Sequence, residues 1–128
     1  MRLCFSWLID GEFVFPKCTT DSTCEGRTSA ISCLLMDDGG LSLLTTLAWI
    51  DEGIKRIAAV NNLELEHTYW SRESWGTTLT PDRAHIYSLL DENYVEVMSS
   101  QALMSALMAW RKFIQTTPQN GAQQEIEI

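Results

Sequence analysis

Two stretches of this chain repeat apolar side chains three and four residues apart, and the sequence around them alternates or turns. In the first, Leu44, Leu47, Ile50, Ile54 and Ile57 share one face, with Asp51, Glu52, Lys55 and Arg56 opposite. That spacing predicts a helix of about 18–20 residues, entered after Asp37-Asp38-Gly39-Gly40 and left at Asn61-Asn62. In the second, Leu103, Ala106, Leu107, Trp110, Phe113 and Ile114 line up, with Arg111 and Lys112 in the last turns and Pro118 beyond. Ser99 or Ser100 supplies the N-cap. Two amphipathic helices of this kind must each bury a stripe, so the rest of the chain has to provide a matching surface.

The rest reads mostly as strands. Leu3, Phe5, Trp7 and Ile9 lead into Asp10-Gly11 and then Phe13-Val14-Phe15, a hairpin signal that Pro16 closes. Lys17 to Ser29 reads as a surface loop, and Ile31 to Met36 as a third strand. Leu63 to Trp70 alternates like a half-buried strand, followed by a polar stretch that contains Trp75 and Pro81. Ala84–Leu90 and Tyr94–Met98, joined by Asp91-Glu92-Asn93, form a second hairpin. The expectation is an α+β single domain over residues 1–117. It has a mostly antiparallel sheet of about five to six strands with two main helices packed on it. Residues 118–128, rich in Gln, are expected as a flexible C-terminal tail.

A length of 128 residues supports one hydrophobic core. With 17 acidic and 9 basic side chains the net charge is −8, which disfavours direct nucleic-acid binding and anionic membranes, since both need clustered Lys and Arg. The N-terminal apolar run stops at Asp10, and no stretch approaches the roughly 18–20 apolar residues of a membrane span. A cytoplasmic protein is expected. The spacing of Cys4, Cys18, Cys24 and Cys33 matches no zinc motif, and His67 and His85 lie far from them. No metal and no cofactor are expected. The thiols are read as reduced, with Cys4 and Cys33 buried as small hydrophobes; a Cys18–Cys24 disulfide is the alternative in an oxidising compartment. The chain has no nucleophile elbow, phosphate loop or dinucleotide fingerprint. The carboxylate pairs Asp37-Asp38, Asp51-Glu52 and Asp91-Glu92 read as solvated, and the protein is expected not to be an enzyme.

The charge is concentrated. Between Leu63 and Met98 stand seven acids and two bases, interleaved with Tyr69, Trp70, Trp75, Tyr87 and Tyr94. Aromatics provide binding area, and carboxylates steer a basic partner. Charge, aromatic content and expected exposure select Glu64, Glu66, Glu73, Trp75, Asp91 and Glu92 as a partner-binding set. For Trp75, packing of its loop onto the domain is the competing reading.

The C-terminal half resembles bacterial immunity proteins encoded beside polymorphic or contact-dependent growth inhibition toxins. The residues that carry the likeness run from Trp70-Ser71-Arg72-Glu73-Ser74-Trp75 through Ala84-His85-Ile86-Tyr87-Ser88-Leu89-Leu90-Asp91-Glu92. They continue through Tyr94-Val95-Glu96-Val97-Met98-Ser99 to Ala106-Leu107-Met108-Ala109-Trp110-Arg111-Lys112-Phe113. The resemblance implies a cytoplasmic protein that neutralises a cognate toxin domain, often a basic nuclease, by covering its active or substrate-binding surface. Two other classes compete with it: a secretion-system chaperone or adaptor, and a small Cys/His-dependent enzyme.

Overall fold

The computed structural model describes residues 1–128 and places them in seven strands and three helices. The first hairpin pairs β1 (Arg2–Asp10) with β2 (Phe13–Thr20) in the register Asp10↔Phe13 to Leu3↔Thr20. Its two-residue loop is therefore Gly11-Glu12, one position later than Asp10-Gly11. Gly11 has φ +61° while Glu12 does not enter the positive region, the pattern of a type II′ turn. Pro16 does not close β2. It lies within the strand, opposite Trp7, at the edge of the sheet where a missing N–H is tolerated.

Residues Ala30–Met36, expected as a strand, form the helix α1. Ala30, Ile31, Ser32, Leu34 and Leu35 are all buried, so the helix is apolar almost all round and shows no amphipathic period. Its N-terminus is held from a distant strand: the Glu96 carboxylate accepts from Ser29 Oγ at 2.7 Å and from the Ile31 N–H at 3.2 Å.

The helix α2 spans Leu43–Asn61 and is capped by Ser42, whose hydroxyl accepts from the Thr45 N–H. Its buried face is Thr46, Ile50, Gly53, Ile57 and Val60, a stripe rotated from the expected one, and Leu44 is 80% exposed. The helix closes in a Schellman arrangement. The Glu64 N–H reaches Ala59 O at 2.9 Å and the Leu63 N–H reaches Val60 O at 3.1 Å, with Leu63 at φ +61°. The strand expected from Leu63 thus starts only at Thr68.

The second sheet consists of β3 (Thr68–Ser71), β4 (Trp75–Leu79), β5 (Arg83–Ser88) and β6 (Val95–Ser99) in that order, all antiparallel. The interior strand β4 lies in what reads as a polar loop. Thr77 is fully buried there, its hydroxyl donating to Trp70 O at 2.7 Å. The helix α3 (Ser100–Phe113) has Ser99 as N-cap and buries Leu103, Ala106, Leu107, Trp110 and Phe113, as its spacing predicts. The last residues are not a frayed tail: β7 (Gln123–Glu127) pairs antiparallel with β1, which completes the first sheet in the order β2-β1-β7. Ile126 and Ile128 pack inward while Glu127 lies near Arg2.

The result is a single α+β domain with seven strands in two sheets and three helices, rather than one sheet of five to six strands with two helices. Helix α3 touches both sheets. Leu3 and Phe5 of one sheet and Trp70, Leu79 and Ile86 of the other join one core of 20 buried residues. Phe5 meets Trp110 edge-on, with ring centroids 5.1 Å apart. No helix is long and apolar enough to cross a membrane.

Candidate partner-binding site

Hairpin connectivity decides where the candidate acids go. The turn between β3 and β4 (residues 72–74) and the segment between β5 and β6 (residues 89–94) leave the same end of the four-stranded sheet. They are tied together by the Leu89 N–H donating to Ser74 O at 2.9 Å. Glu73, Asp91 and Glu92 are exposed at this end. Glu64 and Glu66 precede β3 and are exposed at the opposite end. The expected set is therefore split.

Trp75 begins β4 beneath the acidic end and is half-buried, its ring perpendicular to Tyr94 with centroids 4.8 Å apart. It packs the turn onto the domain rather than standing out as a contact. Tyr94 in turn carries the Arg27 guanidinium 3.8 Å from its ring centre, and Arg27 Nη1 reaches Asp91 Oδ2 at 3.3 Å. Asp91 is thereby oriented, though this exposed pair adds little stability.

Two acids outside the expected set join this end from the connection between α1 and α2. Asp37 Oδ2 accepts from the Ser74 and Trp75 N–H groups at 2.7 and 3.1 Å, so its carboxylate organises the β3–β4 turn. Gly39, at φ +61°, lies under Glu73; a Cβ there would come within 2.6 Å of Glu73 Oε2. Asp37, Asp38, Glu52 and Glu73 surround a depression of about 790 Å³ whose lining includes Trp49. Arg72 is the one cation in that lining. It is 9% exposed, and its Nη1 donates to Leu34 O and Leu35 O. Burial lowers its pKa, opposed by Asp37 and then Asp38. The sequence signal for this group was the Asp37-Asp38-Gly39-Gly40 run, which marks a turn but does not reveal that the turn folds against Glu73.

All four cysteines are free, and it is their burial that departs from expectation: Cys18 and Cys24 are buried, while Cys4 and Cys33 are only half-buried. Burial pushes the Cys18 thiol up to about 12, and burial raises Cys24 and Cys33 as well. These thiols hold their protons at neutral pH, the opposite of an activated nucleophile. His67 is exposed, edge-on to Tyr69, while His85 lines a shallow cleft with Tyr87 and Glu92. No cysteine lines any of the four principal clefts, and no group of three or more His, Cys, Asp or Glu is arranged to hold a metal ion. The arrangement suits electrostatic recognition of a cationic surface.

Set against known proteins, the chain matches no protein-family model, no curated protein and no solved structure.

Proposed function

We propose that this protein is an immunity protein, a cytoplasmic inhibitor that binds a cognate toxin domain and covers its active or substrate-binding surface. The observation that carries the reading is the convergence of Glu73, Asp91 and Glu92 on two touching turns, with Asp37 and Asp38 folded against one of them. A sheet end bearing exposed carboxylates, with Arg27 paired to Asp91 among them, is complementary to the cationic cleft of a basic nuclease. It competes there with nucleic acid and accelerates encounter at low salt. The net charge of −8 acts in the same direction at longer range. In the cytoplasm the four free thiols stay reduced.

The test is co-expression with the toxin domain encoded beside this protein. Growth is expected to be rescued, and unchanged killing at equal expression overturns the proposal. In purified form, the triple variant Glu73→Gln, Asp91→Asn, Glu92→Gln is expected to associate about tenfold more slowly at low salt and to show a weaker salt dependence. Glu64→Gln with Glu66→Gln, at the other end of the sheet, is expected to change both much less.

A further inference from the structure

Beside the acidic depression lies a second cleft, of about 730 Å³, between the β1–β2 hairpin, the start of α2 and the end of α3. Its lining includes the buried Leu35, Trp110 and Ile114, together with Phe15, Leu41 and Leu43, which are 46%, 52% and 50% exposed. A cavity of this size and apolar character is typical of a ligand or anchor site. The two depressions share Asp38, Leu41 and Arg72, so they form one groove with an apolar half and an acidic half. The Arg72 guanidinium in their common wall keeps its positive charge while bonding two backbone carbonyls, and Arg56 pairs with Glu52 at 3.0 Å. Set against Asp37, Asp38, Glu52 and Glu73, these two cations leave the acidic half net negative.

The charges also discriminate among occupants. A second copy would offer Leu90, Leu44, Leu63 and Phe13, which are 88%, 80%, 77% and 72% exposed. Leu90 adjoins Asp91 and Glu92, Leu63 adjoins Glu64, Leu44 stands next to the lining residue Leu43, and Phe13 lies at the hairpin tip. Asp10 and Glu12 flank that tip, and inserting it would set carboxylates against Asp38 and Glu73. Like charges brought together in this way are penalised. A segment with a lysine or arginine next to a large apolar side chain meets neither penalty.

We propose that this groove docks a basic–apolar segment of the partner protein, its apolar side chain entering between Leu41 and Trp110 and its cationic one lying among Asp37, Asp38 and Glu73. The proposal rests on the inhibitor reading above and adds an anchor to it.

The experiment has two arms. In the first, the neighbouring toxin domain is titrated with wild-type protein, Leu41→Asp, Leu43→Asp and, as a control on the outer face of α3, Met108→Asp. Residues 41 and 43 are half-exposed at the start of α2, where a carboxylate suits the helix dipole, and a thermal melt checks that each variant is folded. Affinity is expected to fall at least about tenfold for the first two and to stay level for the third. In the second arm, N-acetyl-Arg-Phe-amide and N-acetyl-Glu-Phe-amide are titrated into the isotope-labelled protein. The first is expected to move the Trp49 indole and the Leu41 and Leu43 amides, and the second to leave them in place.

Tight binding that ignores Leu41→Asp and Leu43→Asp overturns the groove while the inhibitor function stands. A localised response to the Arg peptide without toxin binding upholds the groove and removes the inhibitor reading. Silence in both arms overturns both. Sedimentation showing a dimer that Leu43→Asp dissolves makes a second copy the occupant and overturns the proposal.

Discussion

Arg72 closes the C-terminal end of α1 by donating to the carbonyl of Leu35, as well as to that of Leu34, from Nη1 at 3.2 Å in both cases. The last carbonyls of any helix lack partners within it, and here those two belong to fully buried residues. Arg72→Met keeps the length but strands both oxygens, and it is expected to destabilise by about 2–4 kcal/mol. Arg72→Lys recovers part of this. Urea unfolding checks both, and a Met variant as stable as the wild type would show that the carbonyls have another partner.

Two positions in and after α2 invert the usual rules for glycine. Gly53 packs against the Trp70 ring, and a Cβ there would lie 2.7 Å from Cε2. The ring cannot retreat, since it stacks on Trp49 and its Nε1 donates to Trp49 O at 3.0 Å. Gly53→Ala gains about 1 kcal/mol of helix propensity but is expected to lose about 1–3 kcal/mol to overpacking, for a net destabilisation. Leu63 is the reverse case, a leucine at φ +61° that is 77% exposed. Leu63→Gly is expected to stabilise by about 1 kcal/mol. Thermal melts of the two variants should move in opposite directions.

Removing residues 119–128 deletes β7 and uncovers one edge of β1. Five register pairs are lost, along with the packing of Ile126 and Ile128. We expect a loss of about 2–3 kcal/mol and faster amide exchange across Leu3–Phe5 than in β4. Equal protection before and after truncation would show that β7 contributes nothing to β1.

The buried Cys18 thiol links stability to alkaline pH. Its pKa is raised from 9.0 to about 12 by burial, so between those values the folded state holds a proton that the unfolded chain has released. Stability therefore falls as pH rises through that window, by on the order of a few kcal/mol, and this group has no effect below it. Cys18→Ala should flatten the decline across that window. An identical slope in the variant assigns the decline to other groups.

Much of the architecture was legible where one face is wet and the other buried. The α3 stripe carries that contrast, while the hairpins were legible from β-prone runs bounded by turn residues and the Ser99 cap from its residue type. The failures share the opposite cause. Helix α1 is buried on most of its surface and capped by Glu96 from β6, so neither periodicity nor a local cap marks it. Strand β4 hides Thr77 behind a hydrogen bond to Trp70 O, which makes a buried strand look polar. At the tail, the alternation Glu125-Ile126-Glu127-Ile128 was present, but a composition rich in Gln obscured it. For the binding set, the sequence located the acids, while hairpin topology alone decided that Glu73, Asp91 and Glu92 meet and that Glu64 and Glu66 stand apart.

The pairing of β1 with β7 also sets an order on synthesis. Strand β1 is made well before the neighbour on its open side, residues 123–127. Until those emerge from the ribosome, β1 presents an unpaired backbone edge beside Leu3 and Phe5, which are fully buried in the finished protein. The first sheet is thus completed only after about a hundred further residues have been made, and over that interval the nascent chain is exposed to strand-mediated aggregation.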